Sequence, residues 1–120
     1  MPSADVAREA EQLVEVLGGE LVFAIEAMGT RVAMVRMAEG SPPILLAGHL
    51  EGERPVLVYR VDSLDAATGE LRSRGFDPGA AFGIPHGPCR AFEVPGGHRF
   101  ALYELTRPEV PERFAGRRDF

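Results

Sequence analysis

The sequence predicts an α+β fold built from two similar halves. Three observations carry that reading. Fourteen Gly and ten Pro in 120 residues separate short apolar runs, a pattern of strands joined by turns. Two stretches, near residues 4–17 and 63–74, have apolar residues at helical spacing and are each stopped by glycine. After each of them come three β-prone runs punctuated in the same order.

The elements follow in order. Ser3 is placed to cap a first helix, with Val6, Ala10, Leu13, Val14 and Leu17 on one side and Arg8, Glu9, Glu11, Gln12 and Glu15 on the other. Gly18-Gly19 ends it. Glu20 to Ala27 reads as a strand, Met28-Gly29-Thr30 as a turn and Arg31 to Met37 as a second strand. Pro42-Pro43 forbids a helix in the next loop, and Ile44 to Leu50 reads as a third strand ending around His49. Val56 to Val61 is a strand. Asp62 is placed to cap a second helix that buries Leu64, Ala67, Thr68 and Leu71 and stops at Gly75. Ala80 to Ile84 is a short strand. Arg90 to Val94 and Phe100 to Leu105 are joined by Pro95-Gly96-Gly97, which is hairpin chemistry. The segment from Thr106 carries two prolines and is expected to be irregular or a short helix. Its Arg113, Arg117 and Arg118 alternate with acids, as in a solvated tail.

Aligning Gly19 with Gly75 and Gly29 with Gly87 superposes the halves and sets His49-Leu50 opposite Glu104-Leu105. The second half opens with a strand before its helix. The first has only Met1 to Ala4 there, so its opening strand is missing or vestigial. The expected organisation is one domain: module one over about 1–52, module two over about 53–106, and a tail over 107–120.

Net charge of −5 argues against a general nucleic-acid or anionic-membrane binder. One cysteine, Cys89, excludes an internal disulfide and fits a reducing, cytoplasmic setting. No basic stretch followed by an apolar core opens the chain, and no apolar run reaches the ~20 residues that span a bilayer.

Val61-Asp62-Ser63-Leu64-Asp65-Ala66, Leu71 to Gly75, Pro85-His86-Gly87-Pro88-Cys89-Arg90-Ala91-Phe92 and Pro95 to Glu104 resemble the vicinal oxygen chelate family. That family includes glyoxalase I, bleomycin resistance proteins, extradiol dioxygenases and fosfomycin resistance enzymes. The last segment resembles its DPDGN-x-L-x-L-x-E hairpin, with Val94 and Gly96 where Asp is usual and His98 where Asn is usual. Leu17-Gly18-Gly19 resembles the end of its first helix. The resemblance covers about Asp5 to Pro108. It implies paired βαβββ modules whose sheets curl around a cavity, with a divalent metal bound by side chains from the first and last strands of each module. The last-strand positions match His49 and Glu104. The first-strand position of module two falls near Val56, which cannot bind metal, and module one offers no residue there. At most two of four expected ligands are therefore present.

His49 and Glu104 are the candidate metal pair, suited to Zn, Mn, Ni or Fe. The bland reading is a metal-free cavity carboxylate held by Arg or His49. Glu104 is also the candidate general base, against a salt-bridged structural acid. His86 and His98 flank turns, and Cys89 reads as a small buried strand residue. Met34, Arg90, Phe92, Phe100 and Leu102 are the candidate ligand-binding residues. Strand alternation puts Phe100, Leu102 and Glu104 on one face, with Ala101 and Tyr103 toward the helix.

Two functions follow. One is a bleomycin-resistance-like protein that binds a small, mostly apolar or aromatic molecule in the sheet cavity with a degenerate metal site, the acidic charge suiting a cationic ligand. The other is a divalent-metal-dependent lyase, isomerase or dioxygenase acting on a substrate with vicinal oxygens. The exposed sheet edge of module one is expected to be covered in a homodimer.

Overall fold

The computed structural model describes residues 1–120. The chain divides into two compact units, Met1–Glu53 with Arg113–Phe120, and Arg54–Glu112.

In the first unit, α1 (Val6–Glu15) is followed by β1 (Glu20–Ala27), β2 (Thr30–Arg36) and β3 (Ile44–Ala47), an antiparallel sheet of order β1-β2-β3. The helix forms because its apolar residues share a stripe, and it lays that stripe on the sheet. Val6 and Ala10 pack with Ala24, Ala33, Val35 and Leu46, and these six residues form the core. The helix is capped by Asp5, whose carboxylate accepts from the Arg8 N–H at 3.2 Å, and not by Ser3 as expected. Ser3 is buried because the residues before the helix run beside β3. Pro2 makes a single parallel bridge to Ala47, the Ser3 N–H donates to the Ala47 carbonyl at 3.2 Å, and the Ala47 N–H donates to Met1 at 2.9 Å. That bridge is the vestige of the opening strand. The tight β1–β2 turn needs two residues at positive φ, which Met28 (54°) and Gly29 (76°) supply.

The tail keeps its charged residues exposed, as the pattern suggested, but it is anchored to the first sheet. After a short helix, α3 (Glu109–Phe114), it runs along the free edge of β1 with a parallel bridge between Ala24 and Arg118. The ring of Phe114 meets Phe23 edge-on at 5.6 Å, and Phe120 packs on the core beneath the Arg31 guanidinium, 4.9 Å from its ring. Apolar anchors at both ends of the segment outweigh its charges. Both edges of this sheet thus carry a partner, so the bare edge expected of the first module is partly covered.

In the second unit, β4 (Val56–Val61) leads into α2 (Leu64–Ser73), then β5 (Ala81–Ile84), β6 (Gly87–Val94) and β7 (His98–Glu104), with sheet order β4-β7-β6-β5. β4 pairs with β7 in parallel, and the other pairs are antiparallel. β6 starts at Gly87, three residues earlier than expected, because Gly87 pairs with Ile84 across the Pro85-His86 turn. The cap of α2 is Ser63, whose hydroxyl accepts from the Ala66 N–H at 3.2 Å; Asp62 lies one residue too early. Leu64 and Thr68 are the buried helix residues, and α2 packs against β6 and β7. Replacing the Pro2–Ala47 bridge of the first unit by a full strand gives this topology, so the units are two versions of one βαβββ plan. Both sheets are curled and unclosed. No helix is long and apolar enough to cross a membrane.

Candidate ligand site on the sheet of the second unit

The register of the second sheet sorts its side chains into two faces. Ala101 pairs with Ala91, and Tyr103 with Cys89. Cys89 (3% exposed) and Ala101 (5%) are buried with Leu64 and Thr68, so this face carries the helix. Burial also pushes the Cys89 thiol above its ordinary value, which makes it an inert core group rather than a thiolate.

The opposite face holds the expected ligand residues of this unit. Phe100 pairs with Phe92, Leu102 with Arg90, and in the parallel direction Phe100 with Leu57, Leu102 with Tyr59 and Glu104 with Val61. Three rings form a ladder across β4, β7 and β6. Tyr59 lies 6.3 Å from Phe100 at 17°, and Phe100 lies 5.6 Å from Phe92 at 16°. These are stacking geometries. Leu57 and Tyr59 are about half exposed, at 48% and 53%. Tyr59 was not singled out from the sequence. The signal was present: alternation along a strand ending at Val61 puts Tyr59 on the same face, but only the parallel pairing with β7 reveals which face that is.

Glu104 ends β7, where the chain also turns from β4 into α2. Its Oε1 accepts the Leu64 N–H at 2.8 Å. The carboxylate therefore caps the first turn of α2, alongside Ser63, and meets the positive end of the helix dipole. Its partner is a backbone amide, in place of the arginine or histidine expected. Gly87 is required behind it, since a Cβ there would come within 2.1 Å of the Glu104 carbonyl. Arg90 stays on the ladder face but spends one N–H on the Gly79 carbonyl at 2.7 Å, tying down the loop before β5.

The remaining expected residues are placed as follows. His49 lies in the first unit, exposed, in the Gly48-His49 turn and not on a strand; β3 stops at Ala47. The strand ends there because the Gly48 N–H donates to Arg31 and the Leu50 N–H folds back to Ala47. Met34 also belongs to the first unit, paired with Leu45 on the face away from α1. His98 is exposed at the start of β7. His86 sits in the turn before β6, its ring 6.0 Å from Tyr103, and partial burial lowers its pKa. Its carbonyl accepts from the Thr106 and Arg107 N–H groups.

No group of three or more His, Cys, Asp or Glu side chains suited to a metal ion forms in either unit. With one Glu104 oxygen committed to Leu64, the side chains of a single unit do not fit a divalent ion.

No family model and no curated protein matches the sequence. Solved structures do match. Methylmalonyl-CoA epimerase from Mycobacterium tuberculosis aligns over 92% of this chain and 87% of its own, at 23% identity and TM-score 0.71. A hypothetical protein from Bacillus halodurans C-125 aligns over 86% of this chain and 88% of its own, at 15% identity and TM-score 0.69. Catechol 2,3-dioxygenase aligns over 87% of this chain and 38% of its own, at 14% identity and TM-score 0.61. The fold is that of the vicinal oxygen chelate proteins. At these identities the likeness establishes the vicinal oxygen chelate architecture and leaves the chemistry to the residues themselves.

Proposed function

We propose that the protein binds a small molecule with a flat aromatic part on the helix-free face of the β4-β7-β6-β5 sheet. The observation that supports this most is the near-parallel Tyr59–Phe100–Phe92 ladder. A planar ligand gains both apolar area and quadrupole contact on such a surface. Leu102, beside Arg90 on the same face, extends the apolar floor. Arg90 and the second oxygen of Glu104 supply one positive and one negative polar contact at the rim. The net charge of −5 favours a cationic ligand over an anionic one.

The enzymatic alternative uses the same carboxylate. Oε1 is held by Leu64, and in this reading Oε2 is the proton acceptor. A divalent ion would need His49 or another donor in addition to Glu104.

Binding is tested with a planar cationic dye followed by fluorescence, in the parent, Phe100→Ala and Tyr59→Ser. Loss of one stacking partner weakens binding by roughly 2- to 10-fold. Equal affinity in all three proteins would sink the assignment. Elemental analysis beside His49→Ala and Glu104→Ala decides the alternative: one metal per chain, lost in both variants, makes it an enzyme candidate.

A further inference from the structure

The C-terminal segment makes a specific set of bonds to the outer edge of β1. The Gly116 N–H donates to the Val22 carbonyl at 2.8 Å, and the Ala24 N–H donates to the Arg117 carbonyl at 2.8 Å. The Asp119 N–H donates to the Ala24 carbonyl at 2.7 Å. The Glu26 N–H donates to the Asp119 carboxylate at 2.9 Å. Arg117 clamps that carboxylate in turn, at 2.8 and 3.1 Å, and the two sets of bonds hold it below its ordinary pKa. The Val22 carbonyl, both backbone groups of Ala24 and the Glu26 N–H are thereby used.

Those four atoms are also the ones a second β1 strand would use. An antiparallel pair of β1 strands centred on Ala24 sets Ala24 against Ala24 and Val22 against Glu26. The two Ala24 residues exchange N–H and carbonyl bonds, and each Glu26 N–H reaches a Val22 carbonyl. This register also sets Glu20 against Met28, so no carboxylate faces another. The sequence between the two acids, Leu21-Val22-Phe23-Ala24-Ile25, is uncharged, lacks proline and is rich in β-formers, the composition that pairs readily when an edge is bare.

We propose that β1 is a strand-addition surface for a second copy of this chain, and that residues 116–119 are a guard that occupies it. The guard is held by side-chain anchors rather than by a long ladder, since only Ala24 and Arg118 form a bridge. Phe120 on the core and Asp119 on Arg117 and Glu26 are the parts that keep it seated. This inference is independent of the ligand site.

The experiment measures mass by sedimentation velocity over a wide range of concentration. Asp119→Pro removes both bonds of Asp119 to β1 and keeps Phe120, and truncation after Ala115 removes the guard entirely. Both are expected to double the mass of the parent particle in a concentration-dependent way. Adding Glu26→Pro is expected to restore the parent mass. Its ring blocks the outward N–H, whereas the ladder to β2 uses the other edge. A free peptide of residues 113–120 should restore it too. The proposal is overturned if the folded protein truncated after Ala115 keeps the parent mass at every concentration. It is equally overturned if the added mass survives Glu26→Pro, because association would then use another surface. Truncated protein that precipitates but is made soluble by Glu26→Pro supports it.

Discussion

Replacing Glu104 by alanine separates a structural carboxylate from one held in reserve for a ligand. The structure gives it one partner, the Leu64 N–H at 2.8 Å, in the first turn of α2. A hydrogen bond to a charged acceptor contributes about 1.5–3 kcal/mol, and a carboxylate at a helix N-terminus about 0.3–1 kcal/mol of that electrostatically. Glu104 is only half-buried, which selects the lower half of the range, but Leu64 is 4% exposed, so water replaces the lost acceptor poorly. Ser63 still caps Ala66 in the variant, so a single donor is orphaned. Glu104→Ala is therefore expected to cost about 1.5–2 kcal/mol. Glu104→Gln keeps an acceptor and loses the charge, costing about 0.5–1 kcal/mol. For 120 residues, an unfolding entropy near 2.1 cal/mol/K per residue makes 1 kcal/mol equal to about 4 °C. Thermal melts followed by circular dichroism should thus show a Tm lower by about 6–8 °C for alanine and about 2–4 °C for glutamine. A carboxylate kept only for function usually behaves the other way, and its removal stabilises. An alanine variant as stable as the parent, or more so, would refute the capping role.

Three further outcomes follow from the packing and burial. Gly87→Ala must fit a Cβ 2.1 Å from the Glu104 carbonyl and 2.8 Å from Thr106 Oγ1 at φ 152°, so a loss of at least about 3 kcal/mol is expected in urea unfolding; a loss under about 1 kcal/mol would contradict the close approach. Leu46→Ala empties one of the largest fully buried positions of the first unit and should cost about 2–5 kcal/mol, read from the denaturant midpoint at constant slope. His86 is partly buried and its pKa is lowered, so its neutral form is favoured in the folded protein. Its contribution to stability is full above the ordinary value of 6.5 and is lost as pH falls through the depressed folded value. His86→Phe should therefore flatten the acid side of the stability profile below about pH 6.5, and an unchanged slope would show that His86 is not the group titrating.

Much of the fold was legible because its signals are local. The first helix follows from Val6, Ala10 and Leu13, and β1 from the run Glu20 to Ala27, which matches the observed strand residue for residue. The Met28-Gly29 and Gly96-Gly97 turns follow from residues that tolerate positive φ. The face shared by Arg90, Phe92, Phe100 and Leu102 follows from the two-residue period of a hairpin. The caps at Asp5 and Ser63 were missed by one or two residues because Ser3, Asp5, Asp62 and Ser63 are all competent caps. Which of them caps depends on where the preceding chain is held.

The chain by itself determined the α-β-β-β order of each half and which residues alternate toward a common sheet face. Only the tertiary structure decided what each face and edge meets. Tyr59 joins the ladder through a parallel pairing with β7, Glu104 finds the amide of a helix 40 residues earlier, and Asp119 reaches Glu26 across 93 residues. Periodicity and turn chemistry are set by neighbours within a few bonds. Partners at such separations are chosen by competition among surfaces that exist only once the chain has folded.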